Sequence, residues 1–134
     1  ALDYLGNTID ESKLTDEVES SGIYQSVARS TYLHQGFVRI TNNGNGYVGM
    51  AGGTECNVIC GTVKLNVYLE RSSGDGNFYS YMKWENVDYN EASLYSKQVK
   101  VEKGYYYRLR GYHSCTKNGV TENGGSRTDG IYIG

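Results

Sequence analysis

From Leu33 onward, apolar and polar residues alternate over short runs, and each run closes on a cluster rich in Gly, Asn or Asp. Alternation at period two sends successive side chains to opposite faces, so this pattern predicts half-buried β-strands joined by tight turns. The clearest run is 62–71, with Val63, Leu65, Val67 and Leu69 on one face and Lys64, Asn66, Tyr68 and Glu70 on the other. Further runs at 33–40, 47–54, 78–87, 94–101, 105–115 and 130–133 bring the expected count to seven strands. Within 78–87, Phe78, Ser80, Met82 and Trp84 are expected on one face and Tyr79, Tyr81, Lys83 and Glu85 on the other.

Residues 1–30 show no sustained period and are rich in Asp, Glu and Ser, with weak helical potential near Leu14–Val18. The chain is expected to divide into an acidic N-terminal arm, 1–30, and a β-sandwich domain, 31–134. Charge sharpens that division. Residues 1–25 hold six acids against Lys13, a net of −5, whereas the remainder holds 12 basic residues against nine acids, a net of +3. An acidic run of this kind reads first as a solvated tail, and second as a segment that folds back onto its own basic face.

Composition agrees with strands and turns. The 134 residues include 14 Tyr and 18 Gly but one Trp, two Phe and no Pro, so turns must draw on Gly, Asn, Asp and Ser. One domain is the expectation at this length. Mean hydropathy is −0.57, and no stretch approaches the roughly 20 apolar residues of a membrane-spanning helix, so no membrane insertion is expected. The first residue is Ala and no charged-then-apolar leader is present, so the numbering is expected to start after a removed signal peptide or at a cloning boundary.

Seven short strands with a turn signal every 8–12 residues match an immunoglobulin-like antiparallel sandwich. Val101, Gly104, Tyr107 and Leu109, in the segment VEKGYYYRLRG, resemble the sixth strand of a fibronectin type III domain and the corner leading into it. That resemblance implies a tyrosine corner, in which the Tyr107 ring packs in the core while its hydroxyl bonds back to the turn. Lys103 stands where that family usually has Pro, and its Trp on the second strand is missing here. The blocks TVKLNVYLER, GYYYRLRGYHSCTKNGVTE and TDGIYI are also similar to small exported proteins of unknown function from Gram-positive, Firmicutes-type bacteria. This likeness, from about residue 30 to the end, implies a secreted or cell-surface sandwich and transfers no site residue. The expected fold is therefore all-β: a seven-stranded, immunoglobulin-like (fibronectin type III-like) antiparallel β-sandwich with an extended N-terminal arm.

Three cysteines, Cys56, Cys60 and Cys115, are expected at one pole of such a sandwich. They allow three single bridges: Cys56 with Cys60, Cys56 with Cys115, or Cys60 with Cys115. One bridge and one odd thiol is the leading expectation for an exported chain, with three reduced, inert thiols as the alternative. His113 shares parity with Cys115 and would complete a Cys3His set suited to zinc, although the spacing is not a strong zinc signature and no metal or cofactor is expected. Nucleophilic catalysis needs a base beside a nucleophile. Ser114 and His113 are strand neighbours pointing oppositely, and no family signature surrounds His113 and Cys115. Glu70, Glu85 and Glu122 show no spacing that selects a glycosidase pair, and no phosphate-binding glycine motif precedes a helix.

The remaining candidate is a surface. With Tyr107 and Leu109 inward, Tyr106, Arg108, Arg110 and Tyr112 point outward beside Tyr68, and Tyr79 and Tyr81 are expected to extend the same face. Tyr interleaved with Arg suits glycan stacking or a protein partner. A net charge of −2 and a pI near 5.7 argue against nucleic acid. The expected function is a non-catalytic secreted binding module using this face; the alternatives are an exported accessory domain without a specific ligand and, behind both, a thiol-dependent enzyme.

Overall fold

The computed structural model describes residues 12–25, 32–89 and 91–134. These contain no helix and ten strands: β1 (Leu14–Thr15), β2 (Glu19–Gln25), β3 (Leu33–Gly44), β4 (Tyr47–Cys56), β5 (Thr62–Ser72), β6 (Tyr79–Asp88), β7 (Ala92–Lys100), β8 (Tyr105–Lys117), β9 (Val120–Arg127) and β10 (Gly130–Ile133). One sheet has four strands in the order β2-β3-β4-β7. The other has six, in the order β1-β10-β8-β5-β6, with β9 also paired to β8. β10 takes the first part of β8, at Tyr105–Tyr107, and β9 takes the rest, from Arg110 to Lys117.

The two sheets bury a common core. Val38, Ile40, Val48 and Met50 come from the four-stranded sheet, and Leu65, Val67, Leu69, Tyr107, Leu109, Ile131 and Ile133 from the six-stranded one. Full burial of each such side chain stabilises by about 1.5–3 kcal/mol, so period-two alternation in β5 and β8 dictates which face turns inward. The result is an all-β, sandwich-like arrangement.

The expected seven strands become ten. The seven apolar runs correspond to β3–β8 and β10. β1, β2 and β9 have no apolar alternation, because they hold their places through backbone pairing at sheet edges rather than through a buried face. Of the residues read as an arm, 12–25 supply β1 and β2, and 1–11 and 26–30 lie outside the described residues. Leu14–Thr15, where helical potential was noted, pair in parallel with Gly130–Ile131.

A second difference lies in β6. Leu69 pairs with Met82 but Glu70 pairs with Ser80, so Tyr81 is the extra residue of a β-bulge. The bulge reverses parity along the strand. Met82 and Trp84 face inward as expected, yet Tyr81 also packs inward, edge-on to Tyr107 at 5.6 Å between centroids.

Tyr107 anchors the corner before β8. Its hydroxyl donates to the Glu102 carbonyl at 2.6 Å while its ring is fully buried. Burial pushes the phenol above its ordinary value, against the pull of Arg71, and keeps it a donor.

Candidate functional site

The outward face of β5 and β8 is organised by one carboxylate. Cross-strand register sets Glu70 opposite Arg108, Tyr68 opposite Arg110 and Asn66 opposite Tyr112. Glu70 Oε1 accepts from Arg108 Nε at 2.9 Å and Nη2 at 2.7 Å, and its Oε2 accepts from Arg110 Nε at 3.2 Å. Arg108 Nη1 also donates to Ser12 Oγ at 2.9 Å, and its guanidinium lies 4.3 Å above the Phe78 ring. Arg108 and Glu70 are thereby taken out of water, with side chains only 7% and 8% exposed.

Arg110 behaves differently. Its side chain stays 52% exposed, with the guanidinium 4.8 Å over the Tyr68 ring. Arg127 lies directly opposite it on β9, and these two arginines with Ile23, Gly125 and Ser126 line a cleft of about 330 Å³. Tyr112 is exposed beside it, and Tyr106 packs on Tyr132 at 5.1 Å. Of the seven residues expected on one face, Tyr68, Tyr106, Arg108, Arg110 and Tyr112 share it. Tyr79 lies exposed next to the bulge, opposite Arg71, and Tyr81 joins the core.

At one pole, Cys56 at the end of β4 is bridged to Cys115 on β8, across Cα atoms 6.7 Å apart and 59 residues of sequence. Of the three candidate pairings, the structure selects this one. The bridge joins the two sheets. Cys60, in the connection between β4 and β5, keeps a buried thiol, and the three sulfurs lie within 4.8 Å of one another. Burial pushes the Cys60 thiol up, with Lys117 pulling it down and Glu122 adding to the rise. Glu122 Oε1 itself accepts the backbone N–H groups of Tyr32 and Leu33, at 2.7 and 2.8 Å.

His113 does not complete a Cys3His set, because both ring nitrogens are engaged elsewhere. Thr54 Oγ1 donates to the Lys64 carbonyl at 2.8 Å, so at 2.9 Å from Nδ1 it must accept the imidazole proton. Nε2 is then bare and accepts from Ser126 Oγ–H at 2.6 Å. The ring is fully buried, and desolvation lowers its pKa to about 4, the Gly53 backbone pulling the other way. Ser126 faces inward opposite Gly111 on the neighbouring strand and is itself buried, so the Ser-His contact lies within the six-stranded sheet, and it is the Thr54–His113 contact that bridges the two sheets.

Space for that bridge comes from two glycines. A Cβ at Gly36 would collide with the imidazole, and one at Gly111 would sit 2.9 Å from His113 Nε2 and 2.8 Å from Ser126 Oγ. Thr54 and Ser126 were not visible from sequence spacing, since each lies far along the chain from His113. The signal that was legible is an isolated Gly inside an otherwise alternating strand, at Gly36 and Gly111.

A family described as "Family of unknown function (DUF6147)" has a model that matches residues 6–130. No curated protein and no solved structure matches the chain.

Proposed function

The chain belongs to the DUF6147 family, and since that family has no assigned function, we propose from the chain's own surface that it is a non-catalytic, exported interaction module. Its site is the Tyr/Arg face of β5 and β8, with a glycan or a protein as ligand. The observation that carries this reading is the unequal treatment of two neighbouring arginines. Glu70 buries Arg108 as a scaffold while holding Arg110 half exposed between Tyr68 and the cleft at Arg127. A guanidinium pre-positioned on an aromatic ring loses little freedom when a partner binds, which is how Tyr and Arg contribute at binding hot spots.

The fold reading rests on the strand order. The order β3-β4-β7 facing β6-β5-β8, with β9 and β10 on β8, supports a fibronectin type III-like sandwich, and the Tyr107–Glu102 bond supports a tyrosine corner at the entry to β8. Export is supported by the Cys56–Cys115 bridge, since disulfides persist in oxidising compartments. No helix among the described residues is long and apolar enough to cross a membrane.

The test is a glycan array and a surface-display peptide screen run on the wild type and on Arg110→Ala/Tyr112→Ala, neither residue being part of the core. Ligands found for the wild type should be lost with the double variant. Ligands bound equally well by both would refute the assignment of this face.

A further inference from the structure

We infer that the three cysteines form an intramolecular thiol–disulfide exchange site, in which Cys60 can displace Cys56 from Cys115 and so move the bridge from between the sheets to within one of them. Cys56 belongs to β4 of the four-stranded sheet, and Cys115 to β8 of the six-stranded one. Cys60 precedes β5, which is the hydrogen-bonded neighbour of β8, with Val63 opposite Cys115. A Cys60–Cys115 bridge therefore ties β8 to the lead-in of its own neighbour. The pole of the four-stranded sheet is released.

The step needs no external oxidant or reductant. Cys60 loses its proton, its thiolate sulfur attacks Cys115 Sγ, and the new S–S bond forms as the Cys56–Cys115 bond breaks. The electron pair leaves on Cys56 Sγ, which takes up a proton. One disulfide and one thiol exist before and after. Proximity is what makes the path available: all three sulfurs lie within 4.8 Å of each other, with Leu33 and Val63 packed around them. The Cys60 sulfur is anchored by a single long contact to the Val58 carbonyl at 3.5 Å. Lys117 on β8 and Glu122 on β9 are the charged groups that act on it, with opposite effects. Burial of Cys60, 3% exposed, favours the internal disulfide over a bulky external thiol as its reaction partner.

Migration of the free thiol can be read directly. Native protein is treated with iodoacetamide without denaturant or added thiol, digested at acid pH to freeze exchange, and mapped by mass spectrometry. The expected result is label on Cys56 as well as Cys60, with the Cys56-labelled molecules carrying a Cys60–Cys115 bridge, and loss of the Cys56 label in Cys60→Ser. Label confined to Cys60 in the wild type, with Cys56–Cys115 intact, overturns the inference, and so does Cys56 label that persists undiminished in Cys60→Ser. Cys56→Ser gives a second reading that does not depend on Cys60→Ser folding. Air oxidation should close Cys60–Cys115 with unchanged far-UV circular dichroism, and a folded variant that stays fully reduced contradicts the proposed geometry.

Discussion

Acidification should destabilise this protein in part through His113. In the folded state desolvation holds the imidazole neutral down to about pH 4. The unfolded chain takes up the proton at the ordinary histidine value, about 6.5. Below that value the unfolded state binds more protons than the native one, so stability present above about pH 6.5 is lost as the pH falls toward 4. Linkage between those two values gives a loss, relative to pH 7, of about 1 kcal/mol at pH 5.5 and about 2 kcal/mol at pH 4.5. The perturbation that isolates the residue is His113→Gln, whose amide can still donate toward Thr54 and accept from Ser126 but does not titrate. Urea unfolding of both proteins at pH 7.0, 5.5 and 4.5 measures the difference, in which carboxylate titration common to both cancels. The wild type should lose stability faster than the variant by about the amounts stated. Parallel loss in the two proteins would refute the claim that a buried neutral imidazole bridges the sheets.

Other substitutions probe the remaining parts. Glu70→Ala strands the buried Arg108 guanidinium and should cost about 3–5 kcal/mol by denaturant unfolding, whereas Arg110→Ala, on an exposed partner of the same carboxylate, should cost under about 1 kcal/mol. Equal costs would contradict the unequal burial. Gly36→Ala drives a methyl into the His113 ring and should lower stability by about 1–3 kcal/mol, read from the thermal midpoint; a neutral effect would mean the ring does not occupy that slot. Reducing the Cys56–Cys115 bridge, which spans 59 residues of sequence, should lower stability by about 4 kcal/mol in the chain-entropy account. Urea midpoints that coincide with and without reductant would show that the bridge does not constrain the unfolded chain.

The architecture was most legible where a buried face imposes period two. β5 and β8 follow directly from Val63–Leu69 and Tyr107–Leu109, whereas the bond from the Tyr107 hydroxyl back to the turn was implied by the resemblance that Val101, Gly104, Tyr107 and Leu109 carry. β9 was missed because VTENGGSR has no apolar face, although Asn118–Gly119 ahead of it is a strong hairpin signal, and both residues adopt positive φ, 52° and 78°. β2 escaped for a related reason. Its partners are the backbone of β3, and Gly22 abuts Arg127, a contact between distant segments. The inward turn of Tyr81 depends on a bulge, and a pattern of alternating residues does not announce where one residue will be looped out.

The candidate face was legible in part. Parity alone aligned Tyr106, Arg108, Arg110 and Tyr112, because a continuous strand preserves it. What parity does not contain is which arginine is buried. That depends on Ser12, Phe78 and Glu70 converging on Arg108 from three separate segments. The cysteines show the same limit, since the expected sandwich topology put all three at one pole but left three pairings open until β4 and β8 were placed across from each other.

Hydrogen exchange in the presence of a ligand recovered from the screens tests the central claim most directly. Protection concentrated in residues 64–70 and 106–112, and absent in Arg110→Ala/Tyr112→Ala, is the predicted result. Protection confined to the four-stranded sheet, at residues 47–55 and 92–100, with the Tyr/Arg face unchanged, would contradict it.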